Sequence, residues 1–278
     1  MVRVAIPSKG RLRSDSLSLL AAAGVSTGMF HGSGARVVVD GIEYIEMRPR
    51  DAAIAIANGQ LDGAILATDI ILEAGVSDLP NLPLGFSRSQ LVVASRADDG
   101  RSEAADLAGG GIATHLPAAS KRWFDDQGID VQILSMGGSL EGVCASGMAD
   151  GIVDLRETGT SLAMNNLRVL AVIADCQATA VWRSDAPVIT DLIVRLEAAL
   201  QAKQHRYVMM HLELARIPEL CALFPGLAAP TILPLAGRDD LVAVHIVVDG
   251  KTWWRLLQDV RALGATAIVA LQPSTLLM

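Results

Sequence analysis

The sequence predicts an α/β protein built in three parts: two lobes with largely parallel sheets, then a C-terminal βαββαβ domain of ferredoxin-like arrangement. Three observations predict it. Over the first two thirds of the 278 residues, short β-type runs alternate with helical patterns. Over the last third the order changes to strand, helix, strand, strand, helix, strand. The chain is 51% hydrophobic, enough for sizeable cores, and its length suits two or three domains at about 100–150 residues each.

The first strand covers residues 2–6, rich in β-branched side chains and stopped by Pro7. A polar loop, Ser8-Lys9-Gly10-Arg11, precedes helical spacing over 14–23 (Leu17, Leu20, Ala21). Residues 36–39 and 43–46 read as strands joined at Asp40-Gly41, a hairpin turn pair. Pro49 opens a helix with its body at 52–57, followed by a buried strand at 61–66 and a short helix at 69–74. A second block runs through strands 90–94 and 112–114, a helix over 118–127 ended by Gly128, strand 131–135, helix 139–146 and strand 151–155. Leu162 then begins an apolar helical stretch. A helix over 186–204 leads into the last third: strand 207–212, helix 217–224, a Pro/Gly-rich turn, strands 231–234 and 241–248, helix 251–263 and strand 266–271. No tandem repeat and no low-complexity segment is visible.

Composition excludes several function classes. A net charge of −7 argues against nucleic acid as the main partner, because a phosphate backbone calls for a basic surface. Small phosphorylated ligands remain open, since they need only a local cluster of N–H groups and a few cations. No apolar run reaches the roughly 18 residues of a membrane span. The amino terminus lacks a long apolar stretch and a small-residue cleavage site, so a cytoplasmic location is expected. Cys144, Cys176 and Cys221 are far apart and odd in number, and are expected to be buried, inert thiols.

Two segments could carry chemistry. In the first, a buried strand (Ile152-Val153) leads to Asp154, and the loop Glu157-Thr158-Gly159-Thr160-Ser161 supplies three hydroxyls, one glycine and a run of backbone N–H groups before Leu162. A phosphate fits such a loop because N–H groups at a helix start point at the anion and the helix dipole adds partial positive charge. A simple helix cap after a turn would show the same residues, and the pattern alone leaves both readings standing. In the second, Lys9, Gly10 and Arg11 follow the first strand, and two cations at a strand's carboxyl end suit a diphosphate or an ordinary solvated loop. Gly32-Ser33-Gly34 and Gly109-Gly110-Gly111 read as loop glycines, Asp125-Asp126 as a solvated helix face, and Trp253-Trp254 as core or interface. The five histidines show no ligand spacing; His115, after strand 112–114, is placed to line a cleft.

At these residues the chain resembles ATP phosphoribosyltransferase in its long form, the first enzyme of histidine biosynthesis. The resemblance runs from Arg3-Val4-Ala5-Ile6-Pro7-Ser8-Lys9-Gly10-Arg11-Leu12 through Gly59-Gln60-Leu61-Asp62-Gly63, Asp106-Leu107-Ala108-Gly109, and Ile112-Ala113-Thr114 with Pro117. It continues at Gly138-Ser139-Leu140-Glu141, at Ala149-Asp150-Gly151-Ile152-Val153-Asp154 and at Glu157-Thr158-Gly159-Thr160. The tail agrees at Tyr207-Val208-Met209-Met210, Pro225-Gly226-Leu227, Pro230-Thr231-Ile232-Leu233-Pro234-Leu235-Ala236 and Ala262-Leu263-Gly264-Ala265.

The resemblance implies a two-lobed, periplasmic-binding-protein-like catalytic core, with 1–88 and 182–202 in the first lobe and 89–181 in the second, and an ACT-like regulatory domain over 203–278. It implies transfer of phosphoribose from phosphoribosyl diphosphate to adenine N1 of ATP with release of diphosphate, Mg²⁺ as cofactor, histidine as inhibitor, and homo-oligomers (dimers and hexamers). Lys9, Arg11 and Asp154 are the expected catalytic residues: the cations on the departing diphosphate, the carboxylate on the ribose hydroxyls. Glu157, Thr158, Gly159, Thr160 and Ser161 are expected on the 5′-phosphate. Glu141, Asp150, Leu66, Ala67 and His115 are expected to line the substrates, and Pro230 and Thr231 the regulatory site; no residue is assigned to the metal. The sequence departs from the family pattern at Ala64 and Ala67, where glycines are usual, at Leu66, at His115-Leu116, and at Ala163-Met164-Asn165-Asn166, where only Asn165 matches. These departures fall on the acceptor half. They leave two alternatives beside the family's reaction: a paralogue using another nitrogen heterocycle, or a non-catalytic ligand-sensing subunit.

Overall fold

A computed structural model describes residues 1–31, 36–225 and 229–277; the Gly32-Ser33-Gly34 loop and Gly226-Leu227 of the Pro/Gly-rich turn lie outside them. The chain divides into two units, residues 1–21 with 25–193 and residues 22–24 with 194–278.

The first unit begins with β1 (Val2–Pro7), α1 (Gly10–Ala22), β2 (Arg36–Val39), β3 (Ile42–Met47), α2 (Pro49–Ala57), β4 (Gly63–Ala67), α3 (Thr68–Ala74) and β5 (Asn81–Pro83). Asp40 and Gly41 both take positive φ, 51° and 81°, as a two-residue hairpin turn with matched twist requires. Pro49 occupies the first turn of α2, where its missing N–H costs nothing, and Ala52, Ala53, Ala55 and Ile56 form the buried stripe. The second lobe follows with β6 (Ser89–Arg96), β7 (Gly111–Thr114), α4 (Pro117–Asp126), β8 (Gln132–Ser135), α5 (Leu140–Ala145), β9 (Gly151–Arg156), α6 (Thr160–Met164) and β10 (Leu167–Cys176). Then come β11 (Ala178–Trp182) and α7 (Pro187–Gln204), which runs from the first unit into the second.

The two sheets are ordered β2-β3-β1-β4-β11-β5 and β10-β6-β9-β7-β8. Without the hairpin strand β2, they share one plan. Three parallel strands (β3-β1-β4; β8-β7-β9) are extended by two more, each antiparallel to the strand before it (β11-β5; β6-β10). This order, with two crossings of the chain, is the periplasmic-binding-protein-like arrangement. It corrects two expectations. The sheets are mixed rather than largely parallel, because each takes its fourth strand from a segment arriving from the other direction. The chain also returns to the first sheet at Ala178 rather than at 182: β11 pairs with β4 from Ala178↔Ala67 to Trp182↔Gly63. The apolar stretch expected after Leu162 is helical only to Met164 and then becomes the long strand β10.

Gln177, between β10 and β11, holds one crossing. Its carbonyl accepts from the Thr68 N–H (3.0 Å) and hydroxyl (3.1 Å), and its N–H donates to Thr68 Oγ1 (3.1 Å). The first lobe's core gathers Ala5, Ile56, Leu61, Ala64, Leu66 and Val181. The second has cores on both faces of its sheet, around Leu91, Ile112 and Phe124 and around Ala94, Cys144 and Ile152.

The second unit carries β12 (His205–Glu213), α8 (Ile217–Leu223), β13 (Thr231–Leu235), β14 (Arg238–Asp249), α9 (Gly250–Ala262) and β15 (Thr266–Leu271). Its sheet is wholly antiparallel in the order β13-β14-β12-β15, the ferredoxin-like arrangement. The Asp249 side chain caps α9 by accepting the Thr252 N–H at 2.8 Å. The adjacent tryptophans separate: Trp253 is core and Trp254 is exposed. Cys144 and Cys176 are buried and Cys221 is half-buried; burial pushes the Cys176 thiol up to about 11. Among the described residues no helix is long and apolar enough to cross a membrane.

Candidate active site

The segments following β1, β4, β7 and β9 meet between the lobes, each leaving the carboxyl end of a parallel strand. That is where open α/β sheets hold ligands. After β1, Lys9 and Arg11 are exposed, and the Arg11 guanidinium crosses to Glu157 of the other lobe at 3.0 Å. After β9 the chain turns at Gly159, whose φ of 83° favours glycine, into α6. The Thr158 and Thr160 hydroxyls lie 3.0 Å apart, and the Ser161 hydroxyl donates to the Glu141 carboxylate. Helix α6 has only five residues, so its dipole adds little. The cradle rests on three hydroxyls and the N–H groups of the turn.

Asp154, on β9, is mostly buried. Its Oδ1 accepts the Leu155 N–H at 2.7 Å and lies 3.6 Å from His115 Nδ1. Burial pushes its carboxyl above the usual range, and the Glu141 charge pushes the same way. The Leu155 N–H and the His115 charge pull it down. Asp69, at the start of α3, is buried to 4% exposure with Oδ1 unpartnered, and burial likewise raises its carboxyl against the pull of its backbone contacts, His115 and Arg50. Arg50, on α2, donates to the His115 carbonyl. Glu73, on α3, accepts the N–H groups of Ala118 (3.2 Å) and Ala119 (2.8 Å) in the first turn of α4. These contacts place the first lobe's helices against the His115 segment.

Lys9, Arg11, Glu141, Asp154, Glu157, Thr158, Gly159, Thr160, Ser161 and His115 therefore belong to the rims of one cleft, and Ala67 ends β4 beside it. Two expected residues do not. Leu66 is fully buried in the first lobe's core, because alternation along β4 turns its side chain inward. Asp150 precedes β9, at the strand's amino end and away from the carboxyl end that faces the cleft. Its carboxylate accepts the Gly111 N–H at 2.9 Å and pairs with Arg101 at 2.8 Å, and both contacts hold it below the usual range. It is a structural clasp. Sequence reasoning also missed Asp69, Arg50 and Glu73, which carry no motif of their own. The Arg-Pro-Arg of residues 48–50 was the nearest signal. Beside the cleft, a hollow of about 510 Å³ at the crossings is lined by Arg88, Gln90, Arg156, Glu157 and Gln177 among others, and Arg156 donates to Gln90 there.

The model of the ATP phosphoribosyltransferase family matches residues 48–202, and that of the HisG C-terminal domain matches 202–272. The chain is 34% identical over 276 residues to the ATP phosphoribosyltransferase of Methanopyrus kandleri, with 98% of each chain covered. It is 32% identical to that of Gemmatimonas aurantiaca, with 97% of each covered. The chain belongs to the ATP phosphoribosyltransferase family. The ATP phosphoribosyl transferase (HisG:HisZ) complex from Thermotoga maritima supplies a similar structure, with a TM-score of 0.60 at 27% identity over 71% of this chain and 97% of that one. As an ATP phosphoribosyltransferase, the protein is a transferase of the first step of histidine biosynthesis. The family also locates the departures. Ala64 is packed in the core with Leu66, Leu116 is buried, and Ala67 and His115 stand half-buried at the cleft.

In the second unit, Thr231 opens β13 with Pro230 just before it. Thr231 lines a hollow of about 830 Å³ with Tyr207 and His245, whose hydroxyl and Nδ1 lie 2.6 Å apart.

Proposed function

We propose that the cleft joins adenine N1 of ATP to ribose C1 of phosphoribosyl diphosphate as the C1–O bond to diphosphate breaks, with the second lobe holding the donor. The observation that carries this reading is the convergence of Arg11 on Glu157 beside the hydroxyl cradle. It sets a cation at one edge of the loop that would hold the 5′-phosphate. Thr158, Gly159, Thr160 and Ser161 would hold the phosphate, with Glu141 fixing the Ser161 hydroxyl. Asp154 would accept from the ribose hydroxyls. Lys9 and Arg11 would meet the negative charge that builds on the leaving diphosphate, where one preorganised donor contributes about 3–4 kcal/mol. Adenine N1 is unprotonated at neutral pH, so positioning does much of the work. Ala67 and His115 would border the acceptor.

Among the described residues no group of three or more His, Cys, Asp or Glu side chains is placed to hold a metal. We assign Mg²⁺ to the substrate phosphates, its usual escort. The Thr231–Tyr207–His245 hollow is our candidate for the histidine site, and homo-oligomers in the cytoplasm are the proposed working form.

The test is diphosphate release by the purified full chain with ATP, saturating phosphoribosyl diphosphate and Mg²⁺. Release that depends on ATP supports the reading. Absence of release with ATP, but release with another nitrogen heterocycle, would replace the acceptor.

A further inference from the structure

The two oxygens of Asp154 are not equivalent. Oδ1 accepts the Leu155 N–H at 2.7 Å and lies 3.6 Å from His115 Nδ1, while Oδ2 has no hydrogen bond among the described residues. His115 leaves the carboxyl end of β7, and its carbonyl is gripped by Arg50 from the first lobe. The side chains are sheltered alike, His115 at 25% and Asp154 at 19% exposure. The charged groups near the pair come from three elements: Asp69 and Glu73 on α3, Arg50 on α2 and Glu141 on α5.

We propose that His115 is a positioning residue for the donor sugar: its ring stands beside Oδ1 of Asp154 and leaves Oδ2 to accept from the ribose. This inference rests on the assignment of Asp154 to the ribose hydroxyls. The physical reason is a conflict within the site. A carboxyl must be ionised to accept from two hydroxyls, yet burial and the neighbouring Glu141 both favour its protonated form. A protonated Asp154 would place an O–H where an acceptor is needed. Two groups oppose this, the Leu155 N–H and the His115 charge, and only the second comes from a side chain.

The experiment uses the full chain with His115→Gln, His115→Asn, His115→Lys and Asp154→Asn, and measures kcat/KM for phosphoribosyl diphosphate against pH at saturating ATP. In H115Q and H115N the acid limb should move to higher pH, with KM for the donor raised about tenfold on that limb. The deficit should shrink by pH 8. H115K, which restores a cation, should bring the limb back toward its wild-type position. An acid limb that stays in place in both H115Q and H115N, while D154N loses donor saturation, overturns the role of His115 alone. If D154N keeps the wild-type KM for the donor, the ribose assignment falls, and this inference falls with it.

Discussion

Asp62 and Asp150 occupy equivalent corners of the two lobes. Each carboxylate accepts the N–H of a residue in the central strand of its lobe's parallel trio, Arg3 at 2.8 Å and Gly111 at 2.9 Å, and each backbone N–H donates to that same residue's carbonyl, at 2.9 and 2.8 Å. Each is followed by a glycine that opens the third strand of its parallel trio, Gly63 beside Val4 and Gly151 beside Ile112. The lobes thus repeat one clasp that registers the start of their central strands.

The clasp predicts a loss of stability without a loss of ligand. Asp150→Ala should cost about 1–3 kcal/mol, since it leaves a backbone N–H and one side of Arg101 without their acceptor. Asp62→Ala should cost less, because its bond is more exposed to water. Urea denaturation of each variant measures this. Asp150→Asn, assayed where it is folded, should retain the wild-type KM for phosphoribosyl diphosphate. A raised KM would return Asp150 to the cleft.

The glycines after the clasp should resist substitution unequally. A Cβ at Gly151 would sit 3.1 Å from the Ala94 carbonyl oxygen and from both Leu107 methyls, whereas at Gly63 the nearest atom is the Val181 carbonyl oxygen at 3.3 Å. Gly151→Ala should therefore lower stability by about 1–3 kcal/mol, the usual cost of overpacking, and Gly63→Ala by less. Thermal unfolding of the two variants side by side decides the order.

Arg11 should separate activity from stability. Its pair with Glu157 is more than half exposed on both sides, and such pairs contribute under about 1 kcal/mol. Arg11→Ala should leave the melting temperature nearly unchanged, yet lower kcat for diphosphate release about a hundredfold if the guanidinium meets the leaving group. A variant with full activity removes Arg11 from the chemistry.

Asp69 should make the fold less stable as pH rises. Burial raises its carboxyl in the folded state above the unfolded value, so the folded protein holds this proton more tightly. Its contribution is most favourable below the unfolded value and is lost as pH climbs through the folded one. Asp69→Asn removes that titration. The difference in melting temperature between D69N and wild type should grow in favour of D69N across this window and level off above it. A constant difference from acid to neutral pH would show that Asp69 does not titrate on folding.

Much of the cleft was legible because local chemistry marked it. The run from Asp154 to Ser161 concentrates hydroxyls and a glycine after a buried strand, and Lys9 with Arg11 follows another. What stayed hidden depended on direction. Leu66 and Ala67 are neighbours in sequence, but strand alternation buries one in the core and leaves the other at the strand's end. Asp150 and Asp154 lie on one segment, yet the length of β9 parts them. The repeat of the two lobes escaped notice because little beyond Asp-Gly is shared between them.

By itself the sequence determined the strand and helix alternation, the βαββαβ tail and the donor loop, because each is written in periodicity and in residues close along the chain. Only the tertiary structure decided that β10 and β11 belong to different sheets, that Arg11 reaches Glu157, and that His115 stands near both Asp69 and Asp154. Those relationships join residues tens to more than a hundred positions apart. They exist only where two crossings of the chain bring the lobes face to face, and no local pattern encodes that meeting.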